Sequence, residues 1–418
     1  MKKLLSIFFF IHVAVISFAQ SVPSQSGKNN LDYFIQNAIA NSPLLKDYES
    51  QLSSLSLDSK IFLASLKPQV NGISNNSYAP VIGGWGYDNV ITNGQQLSAL
   101  VSANKSLLNK KSITSQLENL RIQGQSATNS IRISEQDIKK VVADQYITVF
   151  GEQLQLDYNN RVNNMLLKED SILKKLTQDN VYKQSDYLAF VVTRQQQLLS
   201  TSQLQTQYYF DYAGLNYLAG IVDTAITPLP DPQLLSATVG DFASSLFYKQ
   251  FELDSLKLAN DRALVDANYR AKINLFADAG YNSSLVYKPY KNLGTSIGVN
   301  ISIPIYDGRQ RKMQYSKIDI QERSRLFKKD FFARQRRQQL LQLIQQLNST
   351  EQLIDQINKQ IKYTETLITV NEKLLATGDI RLTDFILSLN NYFTAKNLLT
   401  QNYITRLKII NQLNYWGK

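Results

Sequence analysis

The chain has 418 residues, one histidine, no cysteine and a formal charge of +11. Without cysteine there can be no disulfide, thiolate metal site, Cys nucleophile or lipid on an N-terminal Cys. The one imidazole, His12, falls in a segment that reads as an export signal, so the mature chain is expected to lack His-based catalysis and His-ligated metal.

Residues 1–19 combine basic Lys2 and Lys3, an apolar run from Leu4 to Phe18, and Ser17-Phe18-Ala19 before Gln20. A membrane anchor would need about 20 apolar residues, more than this run supplies. No later stretch of that length is free of charge, so membrane passage would require a barrel. Loss of Lys2 and Lys3 leaves +9. A basic balance can indicate nucleic acid, but export separates the chain from it, and no nucleic-acid partner is expected. The sequence also lacks a P-loop, a Rossmann glycine motif and a G-x-S-x-G elbow, so neither enzyme activity nor a cofactor is expected.

After a polar lead, Leu31 to Leu66 has helical spacing, is broken near Asn41-Ser42-Pro43, and is stopped by Pro68. A hairpin is predicted over about 69–107, where Leu97, Ala99, Val101 and Ala103 alternate with mostly polar residues. A very long helix over 108–177 and a shorter one over 185–218 follow. Pro228, Pro230, Pro232 and Gly240 mark 221–245 as a linker.

The pattern then restarts. A helix over 246–269 leads to a second hairpin over about 273–306. In its first strand Leu275, Ala277, Ala279 and Tyr281 alternate with Asn274, Phe276, Asp278 and Gly280. In its second, Ile297, Val299, Ile301, Ile303 and Ile305 alternate with Ser296, Gly298, Asn300, Ser302 and Pro304. Such a strand suits a half-buried soluble sheet or a membrane barrel with a polar lumen. A long helix to Leu375 breaks at Ala376-Thr377-Gly378-Asp379, and a last helix runs to Tyr415.

The halves 20–220 and 246–418 read as one unit written twice. Ser185-Asp186 corresponds to Thr383-Asp384, and Leu215-Asn216-Tyr217 to Leu413-Asn414-Tyr415, both at an offset of 198. Each half is helix, hairpin, long helix, turn, helix. In the second long helix Leu340, Leu343, Leu347, Thr350, Ile354, Ile357, Ile361, Thr364, Ile368, Asn371 and Leu375 step by three and four, a knobs-into-holes seam. The matching seam in the first is expected at Leu117, Leu120, Gly124, Ala127, Ile131, Ser134, Ile138 and Val141. A helix from Arg309 to Leu375 would be about 100 Å long. A soluble coiled-coil adaptor or chaperone-like arm could use such rods, but has no use for amphipathic hairpins at their roots. Four strands cannot close a membrane barrel, which needs about eight. The chain must then associate, and three copies supply twelve strands.

This layout resembles the TolC-like outer membrane efflux proteins over essentially the whole mature chain. The resemblance is carried by the duplication, by Ser302-Ile303-Pro304-Ile305-Tyr306-Asp307-Gly308, and by Gly378, Asp384, Phe385, Ala395, Leu398, Tyr403 and Leu413. It implies a mainly α chain with a β-barrel contribution, assembled as a homotrimer. A twelve-stranded barrel in outer membrane lipid would continue as a twelve-helix periplasmic tunnel. It also implies a passive duct for efflux or type I secretion, with a periplasmic adaptor as partner and an inner-membrane transporter acting through it. By position the adaptor would meet Asp179-Asn180-Val181 and Thr377-Gly378-Asp379-Ile380. The periplasmic aperture would fall at Asp384, with Asp186 its counterpart in the first half. Leu387 stands where the family has a second aspartate, which implies a less acidic constriction. Asp186 and Asp384 are equally well placed as helix-capping carboxylates.

On this architecture the isoleucine strand faces lipid. Arg309, Arg311 and Lys312 lie at the periplasmic interface near anionic headgroups. Most of the later cations among Arg323, Arg325, Lys328, Lys329, Arg334, Arg336 and Arg337 are expected to form a solvated helix face. Trp85, Tyr87, Tyr287 and Tyr290 belong to an aromatic girdle or to ordinary outer loops.

Overall fold

The computed structural model describes residues 29–236, 240–285 and 288–417. The expected export signal and Tyr287 lie outside the described residues. The chain runs α1 (Leu31–Asn41), α2 (Pro43–Ser65), β1 (Gln69–Tyr78), a single turn α3 (Asn89–Thr92), β2 (Gln95–Leu107), α4 (Lys110–Gln178) and α5 (Gln184–Ala219). The second half is α6 (Leu246–Asn268), β3 (Lys272–Ser283), β4 (Leu293–Ser302), α7 (Gln310–Thr377) and α8 (Leu382–Gly417).

Local chemistry sets these boundaries. The Asn30 side chain accepts from Tyr33 N at 2.8 Å and starts α1. Ser42 caps α2, and Pro43 occupies its first turn, where a missing N–H costs nothing. Asn109 caps α4 by accepting from Ser112 N at 2.9 Å. Asn93-Gly94, both at positive φ (52° and 71°), turns the chain into β2.

The two halves keep the 198-residue offset in their helices. The 36-residue helices α5 and α8 begin and end 198 residues apart. The long helices α4 and α7, of 69 and 68 residues, each extend roughly 100 Å at about 1.5 Å per residue. Among the described residues no helix is long and apolar enough to cross a membrane.

The α7 seam forms as spaced: Leu340, Leu343, Ile357, Ile361, Ile368, Asn371 and Leu375 are buried against α8 and its neighbours. The α4 seam forms only in part: Ser134 is buried, and Leu117, Leu120, Gly124, Ala127, Ile131 and Ile138 are half-buried. Val141 is 46% exposed, and the fully buried positions over this stretch are Ser115, Ile122, Asn129, Ser134, Val142 and Ala143. Of these, polar Ser115 and Asn129 tie α4 to α6. Asn260 Nδ2 donates to Ser115 O at 2.9 Å, and Asn129 Nδ2 to Leu246 O at 3.1 Å. Buried polar groups need such partners, and a hydrophobic seam does not reveal them.

The proline-rich segment after α5 is docked. Leu229 is buried, its N–H donates to Gln153 Oε1 at 2.7 Å, and its carbonyl accepts from Gln153 Nε2 at 3.1 Å. Tyr146 OH donates to Pro230 O at 2.7 Å from within a core of Phe34, Tyr212, Leu215 and Leu407. The segment is thus a strap across the middle of the rods.

Beside this core, Glu152 on α4 meets Asp211 on α5. Burial, then the hydrogen-bonded Asp211 carboxylate, pushes Glu152 up to about 8, with Lys408 opposing. Burial works against the Asp211 charge too, but hydrogen bonds from Gln207, Glu152 and Gln145 hold that carboxyl low. Glu152 therefore keeps its proton in the folded chain and loses it near the ordinary 4.5 when unfolded. The stabilising contribution is complete below the unfolded value and is lost as pH rises through the folded one. Glu152→Gln is expected to flatten the decline of melting temperature between about pH 5 and pH 9. An unaltered slope in thermal unfolding would show that this pair does not titrate as described.

All four strands form one antiparallel sheet in the order β1-β2-β3-β4. The middle pairing, Val101 opposite Ala279, joins the two halves of the chain. The register gathers Val70, Leu97, Ala99, Val101 and Ala103 with Leu275, Ala277, Ala279, Ile297, Val299 and Ile301 on one face. Asn71, Ser98, Ser102, Asn274, Asp278, Ser296 and Asn300 share the other. Ile73, Leu100 and Phe276 are the apolar exceptions on the polar side, and Phe276 lies across Gly298, where an added Cβ would come within 2.2 Å of the ring.

The isoleucine strand is shorter than its sequence pattern. It ends at Ser302, so Ile303 and Ile305 lie beyond it. Pro304 supplies no N–H for a ladder and fixes its own φ, which ends the pairing. Both residues remain exposed.

Candidate functional site

Two regions carry the expected functional residues: the helical tips and the sheet. At the tips, Asp179, Asn180 and Val181 connect α4 to α5, and Gly378 to Arg381 connect α7 to α8. Both turns use the same cap. Val181 N donates to Leu176 O, and Asp379 N to Leu374 O, each at 2.9 Å across five residues. Each cap needs one left-handed residue, and these are Asn180 (φ 59°) and Gly378 (φ 78°), which are 198 apart. Asn tolerates this conformation. At 378 a Cβ would lie 2.5 Å from Val181 Cγ1, so close approach adds a second reason for glycine.

The turns of the two halves also touch. Tyr182, buried, donates through its hydroxyl to Ile380 O at 2.9 Å, again a pair 198 apart. Thr377 Oγ1 donates to Asp379 Oδ2 at 2.6 Å. Beneath lies a core of Leu173, Phe190, Leu375, Leu382, Phe385 and Leu389. The residues expected at the adaptor-facing tips are therefore brought together, on a rigid base.

Asp186 and Asp384 occupy the first turns of α5 and α8. Simple capping does not describe Asp186: the N-cap of α5 is Lys183, without a side-chain bond, and Asp186 Oδ1 accepts weakly from Ser185 Oγ at 3.5 Å. Asp384 is held bidentately by Arg381, Nε to Oδ2 at 2.8 Å and Nη2 to Oδ1 at 3.1 Å. Both partners are well exposed, so the pair contributes little to stability. Its consequence is electrostatic, since the Asp384 carboxylate carries its own countercharge. Leu387 is exposed on the same helix.

The sequence did not reveal the polar ties just above the tips. Asp170 on α4 receives Arg194 Nη1 of α5 at 2.6 Å and Tyr187 OH at 3.3 Å. Burial, then the Asp170 charge, pushes the Tyr187 hydroxyl up. In the other half, Glu365 on α7 takes Lys396 Nζ of α8 at 2.9 Å and Tyr392 OH at 3.1 Å. Each tie joins helices through residues remote in sequence, which no local pattern signals.

In the sheet, Ile297, Val299 and Ile301 project from β4 with large exposure. β1 and β4 are both edges, each ten residues long. Trp85 and Tyr87 are exposed in the β1–β2 loop, and Tyr290 in the β3–β4 loop, at the end of the sheet opposite the long helices.

No protein family and no curated protein matches the chain in sequence. Solved structures do match in shape. A membrane protein from Pseudomonas aeruginosa aligns at 12% identity and a TM-score of 0.76, over 93% of this chain and 92% of its own. The outer membrane protein VceC from Vibrio cholerae aligns at 12% identity and a TM-score of 0.76, over 93% and 96% respectively. The CmeC outer membrane channel from Campylobacter jejuni aligns at 11% identity and a TM-score of 0.71, over 99% and 94%. With the duplicated rods, the linked tips and the single amphipathic sheet, these alignments give the chain the fold of the TolC-like outer membrane channels.

Proposed function

We propose that the chain is one third of an outer membrane exit duct for efflux or type I secretion. The observation that carries this reading is the sheet: an apolar exposed face, a polar face, and two unpaired ten-residue edges. In hydrocarbon each unpaired backbone group costs several kcal/mol, so the edges must be paired by other copies. Three four-stranded sheets make a twelve-stranded barrel, with Ser98, Ser102, Asn274, Asp278 and Asn300 toward the lumen. The rods then cross the periplasm, and the paired tips at Asp179–Val181 and 377–380 are where an adaptor docks. The duct is passive, without cofactor or catalysis, and meets an inner-membrane transporter only through that adaptor. The exposed isoleucine face argues against a soluble coiled-coil adaptor or chaperone. Purified protein added to a planar bilayer should give discrete ion-conducting steps, and a preparation that never conducts would reject the reading.

Asp384, Asp186 and Leu387 form the proposed periplasmic aperture. Threefold symmetry would gather three Asp384 carboxylates, but Arg381 beside each one and the apolar Leu387 leave the ring close to neutral. Cation selectivity should accordingly be weak. Asp384→Ala is expected to loosen the entrance and raise single-channel conductance. Conductance equal to the parent would remove Asp384 from the aperture.

A further inference from the structure

The chain passes between sheet and rods four times, and the passages are strongly basic. Residues 66–68, 105–112, 266–272 and 302–312 contain Lys67, Lys105, Lys110, Lys111, Arg270, Lys272, Arg309, Arg311 and Lys312, against Asp266 and Asp307. Both carboxylates are already committed. Asp307 accepts Arg309 N at 2.9 Å and Arg311 N at 2.8 Å through its two oxygens. Asp266 takes Arg311 Nη2 at 2.6 Å, Tyr315 OH, and Lys111 Nζ at 4.0 Å. Arg309 and Lys312 are therefore left without an acidic partner among the described residues, and both are exposed.

These two cations and Arg311 line a cavity of about 480 Å³ with Pro304, Ile305, Tyr269 and Tyr315, and with Asp307, whose oxygens already accept the Arg309 and Arg311 backbone N–H groups. Arg309 is held at φ 69° directly after Gly308 at φ 60°, a backbone arrangement that L side chains rarely adopt. Arg311 lies over the Tyr269 and Tyr315 rings at 5.8 and 5.7 Å. The cavity thus has a cationic rim, aromatic walls, and an apolar lip of Pro304 and Ile305, with exposed Ile303 and Tyr306 next to them in the chain. Guanidinium and ammonium groups recognise phosphate oxygens, and an apolar lip beside them suits acyl chains.

We infer that this cavity binds the phosphate of an anionic phospholipid of the membrane's periplasmic leaflet. The inference rests on the barrel reading, which sets the sheet's lower end at that leaflet. One lipid per protomer would fasten the barrel–rod junction, in a chain that has no cysteine to carry an anchoring lipid.

The test is calorimetric titration of the detergent-solubilised full-length trimer with short-chain phosphatidylglycerol, with phosphatidylcholine of equal chain length, and with inorganic phosphate. Light scattering on the same samples follows the trimer. Saturable binding of phosphatidylglycerol is expected, stronger than of the other two. In the double variant Arg309→Asn, Lys312→Gln it should weaken by about 30-fold, with the trimer intact; Asn keeps the left-handed backbone at 309. Equal phosphatidylglycerol affinity in the variant would overturn the site. Equal affinity for phosphatidylcholine would overturn recognition by charge, and equal affinity for inorganic phosphate would assign the cavity to free phosphate. A trimer indifferent to phosphatidylglycerol defeats the headgroup site alone, whereas a water-soluble monomer defeats the barrel reading and the site together.

Discussion

Ile297→Arg is expected to keep the protein out of the outer membrane. Ile297 stands in the middle of β4 opposite Ala277, on the apolar face, and is 87% exposed. An arginine at the centre of a lipid-facing strand costs about 2 to 4 kcal/mol. Threefold assembly would multiply that to roughly 6 to 12 kcal/mol per barrel, comparable to the whole stability of an ordinary domain. Outer membrane fractions should lose the heat-modifiable trimer band almost completely. Ser296→Arg is the matched control. Its side chain belongs to the polar face, where Ser296 Oγ already donates to Asp278 Oδ2 at 3.3 Å, and an arginine there can pair with that carboxylate. Equal loss in both variants would mean that the two faces of the sheet do not see different solvents.

Arg336→Ala is expected to destabilise the middle of the rods by on the order of 3 kcal/mol, seen as a clear fall in melting temperature. Arg336 is 5% exposed. Its Nε and Nη2 donate to Trp416 O at 3.0 and 2.6 Å, and Nη2 also reaches Gly240 O at 3.3 Å. The last carbonyls of a helix have no partner within it. Arg336 therefore caps α8, while Gly240 N serves the next carbonyl, Gly417 O, at 3.2 Å. Its guanidinium lies over the Phe242 ring, which continues into a run of ring contacts through Phe332, Phe247 and Trp416. Burial pushes the guanidinium down, yet its ordinary value is so high that it stays charged. Arg336→Lys should recover only part of the loss, because a single ammonium cannot reproduce the fork that spans two carbonyls. A melting temperature unchanged in Arg336→Ala would show that water serves these carbonyls equally well.

These two residues also show what the sequence discloses. The sheet faces were legible because period-two alternation has one structural meaning and the register preserves it: Leu97 to Ala103 and Leu275 to Tyr281 share a face as spaced. The α7 seam was legible because that helix buries a single stripe of apolar residues. Arg336 is the member of the basic cluster that does not share the solvated face, and it stands four residues before Leu340, on the seam's own backward extension. A cation in that place signals a buried, partnered charge.

Of the expected α4 seam only Ser134 is fully buried, because α4 is packed by α1, α2, α5, α6 and α8, and buries Ser115, Ile122 and Asn129 off that stripe. With neighbours on several sides, no one stripe identifies the core. The strand expected to reach Ile305 stopped at Ser302 because alternation continues past Pro304, while hydrogen bonding cannot. At the tips, position and duplication located the turns correctly. The bond from Tyr182 to Ile380, the Arg381 clamp on Asp384 and the Asp170–Arg194 tie depend on how the helices lie against each other, which spacing along one chain does not encode.

The central claim is that this chain closes its sheet only by joining two further copies in a membrane. The most direct measurement is the mass of the mature protein extracted from outer membranes in mild detergent, by light scattering corrected for bound detergent. The account predicts three mature chains per particle, falling to one on boiling in denaturing detergent. A single chain that stays monodisperse in buffer without detergent would contradict it.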